Sequence, residues 1–133
     1  MTDPILAELI TAAHRREENI ARNNTRNPLE TLEFFGLKPD MTVVEILPAL
    51  GWYTEILAPY LAHQGRLYVA HFSPDGILPY MPQVLEAFER RISRAPETFG
   101  AITMRHINPP GEVSITPPGT ADLALTFRNV HNW

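Results

Sequence analysis

The spacing of hydrophobic positions changes along this chain, and the changes divide it into elements. From Pro4 to about Arg22, Ile5, Leu9, Ala12, Ala13 and Ile20 recur at helical intervals. Asp3 is placed to cap this weakly amphipathic helix, and Pro4 suits its first turn. The polar stretch Asn23 to Asn27 breaks the pattern. A short helix is expected from Pro28 to about Phe35, with Asn27 as cap, Glu30 reaching back to the cap amide, and Gly36 as the stop. Thr42 to Leu47 is a nearly continuous apolar run, as in a parallel strand covered on both faces. Trp52 to Ala62 places Tyr53, Ile56, Leu57, Tyr60 and Leu61 on one helical face. Pro59 lies inside that pattern and should kink the helix or remove one backbone bond. A second strand is expected over Arg66 to Phe72, then a turn at Ser73-Pro74-Asp75-Gly76. A further helix starts near Pro79 or Pro82 and runs to about Arg94. Strands over Ala101 to Ile107 and Ala121 to Phe127 flank a proline-rich loop.

Strands alternating with helices predict an α/β fold: a Rossmann-like, open, mainly parallel sheet of about four strands. Residues 1–26 read as a helical extension and 27–133 as the α/β domain. Ligands of such sheets bind beyond the C-terminal strand ends, where the strand order reverses.

Composition narrows the functional classes. The chain has 133 residues, which suits one domain, and a net charge of −4, which argues against a nucleic-acid binder. It has no Cys, so disulfides and thiolate metal sites are excluded. No apolar run approaches the roughly 20 residues of a membrane span, and the N-terminal segment carries an acid where a signal peptide needs a base. A cytoplasmic protein without a membrane partner is expected. None of the five His residues forms a metal-spaced pair, so no metal site is expected.

The residue types that can carry chemistry cluster at the end of the first strand. Glu45 is a carboxylate in an apolar strand, and a buried charge needs a partner. That partner is either a backbone amide or an Arg, or a ligand ammonium or hydroxyl group. The turn after it leads into a helix N-terminus, which presents free amides and partial positive charge. His131 follows the last strand and can serve as a base. Arg15, Arg16, Arg22 and Arg26 read as a solvated helix face, balanced by Glu17 and Glu18. Arg90, Arg91 and Arg94 read as the outer face of a helix.

Three segments then resemble a predicted bacterial group of class I S-adenosylmethionine-dependent methyltransferases. They are Glu30 to Leu37, Met41 to Ile46 with Pro48 and Gly51-Trp52-Tyr53-Thr54-Glu55-Ile56-Leu57-Ala58-Pro59-Tyr60-Leu61, and Asp122 to Trp133 with Arg128-Asn129-Val130-His131-Asn132-Trp133. The resemblance implies S-adenosylmethionine as cofactor, held by Glu45, Pro48, Gly51, Trp52, Tyr53 and Thr54. It implies an acid for the ribose hydroxyls, for which Asp75 is the nearest candidate. It implies that Phe127, Arg128, Asn129 and His131 flank the methyl group and its acceptor, with Asn129 and His131 as the catalytic pair.

The sequence departs from that group in three places. The acid-x-Gly-x-Gly-x-Gly pattern reads Glu45, Leu47, Ala49, Gly51, so Ala49 and Leu50 are expected to crowd the cofactor. The second strand ends Ala70-His71-Phe72, without an acid. The chain stops after the fourth strand, as a cofactor half without most of the acceptor half. A bare fourth-strand edge invites pairing, so self-association or a complementing chain is expected there. The alternative to an active methyltransferase is an inactive, truncated subunit or interaction module.

Overall fold

The structure, a computed structural model, describes residues 3–76, 78–107, 114–127 and 129. The elements in chain order are α1 (Pro4–Leu9), α2 (Glu17–Ile20), α3 (Asn23–Arg26), α4 (Pro28–Phe34), β1 (Thr42–Ile46), α5 (Thr54–Leu61), β2 (Arg66–Phe72), α6 (Tyr80–Ser93), α7 (Pro96–Phe99), β3 (Ile102–Ile107) and β4 (Leu123–Leu125). The four strands form one sheet in the order β3-β2-β1-β4, and every pairing is parallel. The chain steps outward from β1 through β2 to β3, then returns to lay β4 on the other side of β1. The order reverses between β1 and β4, and their C-terminal ends frame the crevice at which open α/β sheets generally take ligands.

Alternation along the strands puts Val43, Leu67, Val69 and Leu125 on one face. These join Ile56, Leu57, Leu61, Phe88 and Phe99 of the helices in the core. No described helix is long and apolar enough to cross a membrane.

Three local expectations are corrected. The first helix does not run to Arg22; it ends at Leu9. The Ile10 carbonyl, which a longer helix would give to the amide four residues on, accepts instead from the side chains of Arg15 and Asn23. The segment lies over the α/β domain, with Leu6 in the core and Arg15 buried. Asn27 makes no side-chain cap to α4; it takes a left-handed φ of 48° and ends α3. The last strand is shorter than Ala121 to Phe127, because side chains replace its terminal rungs. The Asp122 carboxylate accepts from the Thr42 amide at 2.8 Å, and the Thr126 hydroxyl donates to the Ile46 carbonyl at 3.1 Å.

Candidate functional site

The connection from β1 to α5 holds the candidate chemistry. Leu47, Ala49 and Gly51 have φ of 51°, 55° and 88°. The backbone therefore takes the left-handed form at all three positions where the resembled motif carries Gly, although two are occupied by residues with a Cβ. Such a conformation costs a non-Gly residue about 1–2 kcal/mol. At Gly51 a side chain would also be crowded, since a Cβ would stand 3.1 Å from the Phe88 ring.

Neighbouring elements hold this strained loop in place. His71, at the end of β2, is fully buried. Its Nδ1 accepts from the Phe72 amide at 2.7 Å, so Nε2 carries the proton and donates to the Ala49 carbonyl at 2.8 Å. Burial holds the His71 pKa below its ordinary value, in keeping with a neutral ring. Beyond the end of β4, the Asn129 side-chain nitrogen donates to the Leu47 carbonyl at 3.0 Å and to the Thr126 hydroxyl at 2.9 Å.

Glu45 is 2% exposed, and its carboxylate accepts from the Thr54 hydroxyl at 2.5 Å. Among the described residues it forms no ion pair. Burial raises its pKa to about 7, against the opposing pull of the Thr54 hydrogen bond. The sequence offered an amide, an Arg or a ligand as partner; the protein partner is instead this hydroxyl from the first turn of α5.

Glu45 lines a cavity of about 600 Å³ beyond the ends of β1 and β4, together with Pro48, Ala49, Trp52, Tyr53, Phe127 and Asn129. That volume lies within the range of small-molecule sites. Leu50 does not plug it: the side chain is 65% exposed at the lip. The Tyr53 and Phe127 rings are stacked, with centroids 3.7 Å apart. The Trp52 indole N–H donates to the Asn19 carbonyl at 3.1 Å, and Arg15 and Arg26 stand over its ring at 4.7 and 4.8 Å.

Of the residues predicted as cofactor-binding, Glu45, Pro48, Trp52, Tyr53 and Phe127 come together around the cavity. Gly51 and Thr54 do not line it: Gly51 makes the left-handed turn and Thr54 donates to Glu45. Asp75 is not brought to the site: it is exposed in the turn after β2 and does not line the cavity. Of the proposed catalytic pair, Asn129 lines the cavity with its nitrogen turned onto the β1 end, while His131 lies outside the described residues. No group of three or more His, Asp or Glu among the described residues can hold a metal ion.

The sequence did not point to the other wall. Glu55 is buried and accepts from Arg15 at 3.3 Å, Asn19 at 3.0 Å and Arg91 at 3.2 Å. Arg15 is thus no solvated residue, and Arg91 faces inward rather than outward. Arg16, Arg22, Arg26, Arg90 and Arg94 line the cavity as well. The spacing of Arg22 and Arg26, and of Arg90 and Arg94, signals a shared helical side. That the two sides meet depends on the fold.

Comparison with known proteins agrees with this architecture. No protein-family model matches the chain, and no curated protein matches it. Among solved structures, a protein-L-isoaspartate O-methyltransferase superposes with a TM-score of 0.63 at 12% identity, covering 94% of this chain and 43% of that one. A cyclopropane-fatty-acyl-phospholipid synthase-like protein from Lactobacillus casei matches with a TM-score of 0.49 at 20% identity, covering 78% of this chain and 37% of that one. A putative O-methyltransferase from Klebsiella pneumoniae matches with a TM-score of 0.44 at 17% identity, covering 85% of this chain and 50% of that one. The chain has the α/β fold of the first of these over less than half of that protein's length.

Proposed function

We propose that this chain binds S-adenosylmethionine in the crevice between β1 and β4 and presents its methyl group to an acceptor. The observation that carries this reading is Glu45: a buried carboxylate facing a cavity of small-molecule size, with no cationic side chain paired to it among the described residues. A ligand bearing sulfonium and ammonium charges supplies the missing countercharge. When bound, the cofactor brings an already electrophilic methyl group, so the protein's task is mainly alignment. Glu45 would hold the cationic part, the 47–51 backbone would pass close to it, and the Tyr53–Phe127 pair would wall the site.

Titration calorimetry and thermal shift with S-adenosylmethionine and its demethylated product test this reading. Binding that raises the melting temperature and is lost in Glu45→Gln supports it. Absence of any heat or shift at millimolar ligand overturns it.

A second reading, binding without turnover, draws support from Asn129, whose nitrogen is occupied by main-chain carbonyls rather than turned toward a reacting group. Equal occupancy by both ligands without methyl loss identifies that case. In either case we propose that the β4 edge, whose described neighbour is β1 alone, is covered by a second copy or a complementing chain.

A further inference from the structure

Six of the chain's eleven basic side chains line this one cavity: Arg16, Arg22 and Arg26 from one side, Arg90 and Arg91 from α6 and Arg94 just after it from the other. The chain as a whole carries −4, so this concentration runs against its overall charge. The cavity's own carboxylates, Glu18, Glu45 and Glu55, are outnumbered by its six arginines. Glu55 is shared between Arg15 and Arg91, which leaves that trio with one net positive charge. Arg90 pairs with Glu86 on the surface, which compensates that one guanidinium. Glu18 adds one exposed carboxylate at the rim. Arg16, Arg22 and Arg94 make no side-chain hydrogen bond or ion pair among the described residues.

Gathering like charges around a concave surface is unfavourable unless an anion relieves it, and a cleft focuses their field. All six are Arg rather than Lys. The planar guanidinium fork matches the paired oxygens of carboxylates and phosphates. We infer that the arginine rim is an anion site that recognises a carboxylate or phosphate group on the substrate, which makes the methyl acceptor an acidic small molecule. The substrate assignment rests on the methyl-transfer reading; the anion site itself does not.

The test titrates the full chain with inorganic pyrophosphate and, separately, with citrate at physiological salt, which distinguishes phosphate from carboxylate as the favoured group. Wild type should bind at least one of them. Arg22→Gln/Arg94→Gln should weaken that binding about tenfold or more, the size expected from losing a charged hydrogen bond. Arg66→Gln/Arg105→Gln, exposed Arg residues away from the cavity, should leave it unchanged. No binding of either probe at millimolar concentration, or equal weakening in both double variants, overturns the anion site. Loss of S-adenosylmethionine binding in Arg22→Gln/Arg94→Gln also overturns it, because the rim would then serve the cofactor. Anion binding to a chain that binds no S-adenosylmethionine would uphold the site and remove the methyl-transfer reading alone.

Discussion

His14 Nε2 lies 2.6 Å from the main-chain oxygen of Glu55. A carbonyl only accepts, so this nitrogen carries the proton and donates. In an unbroken helix the Glu55 carbonyl would bond the amide four residues on, but that residue is Pro59, which has no N–H. The imidazole thus takes the place of the missing helix bond, and it ties the N-terminal segment to α5.

Removing that donor should be felt only while Pro59 is present. His14→Ala is expected to lower stability by about 1 kcal/mol, the usual worth of a hydrogen bond of this kind. In a Pro59→Ala background, where residue 59 regains its amide, the same change should matter much less. A double-mutant cycle by urea denaturation measures the coupling.

Ala49 sits at φ 55° with its side chain at the cavity wall. Ala49→Gly relieves the left-handed strain while adding unfolded-state entropy, so a net gain of up to about 1 kcal/mol is expected. It also bares the backbone toward the cavity, and S-adenosylmethionine affinity should rise with it. A lower melting temperature together with weaker binding would contradict this.

The Glu45 carboxyl titrates near 7 in the folded protein against 4.5 as its ordinary value. The folded state therefore holds this proton more tightly than the unfolded chain. The associated stability is complete below the unfolded value and is lost as pH rises through the folded one. Wild type should lose stability relative to Glu45→Gln between about pH 5 and pH 8. Taking the difference between the two proteins cancels His71, whose lowered pKa acts with the opposite sign. A pH-independent difference would show that Glu45 ionises normally.

Arg15 and Arg90 both form ion pairs with glutamates, yet they should behave differently. Arg15 and its partner Glu55 are buried, and burial lowers the Arg15 pKa against the pull of Glu55. Arg15→Ala removes one of the two guanidinium groups on a buried carboxylate, leaving Arg91 and Asn19, and should destabilise the fold by up to about 3 kcal/mol. Arg90→Ala breaks an exposed pair and should change stability by less than about 1 kcal/mol. Denaturant titration of both variants checks the contrast.

Much of the fold was written in local pattern. The apolar run at Thr42–Ile46, the helical spacing of Ile56, Leu57, Tyr60 and Leu61, and the glycine at 51 each depend on near neighbours. Backbone period and burial of one face fix such elements without reference to distant residues. Glu45 stood out for the same reason, as an acid in a strand too apolar to solvate it. Asn27 misled in part: it precedes α4 as the pattern suggests, but its left-handed backbone also ends α3 and its side chain makes no cap.

The amino-acid sequence by itself determined the alternating elements, the parallel sheet and the acid at its centre, because these follow from spacing within a few residues. The tertiary structure alone decided the rest. It placed the Thr54 hydroxyl on Glu45, His71 beneath Ala49, His14 on the carbonyl left by Pro59, and two sets of arginines across one cavity. Those partners are brought together by chain reversals whose geometry depends on the whole core, and no local pattern of side chains records which distant groups will share a surface.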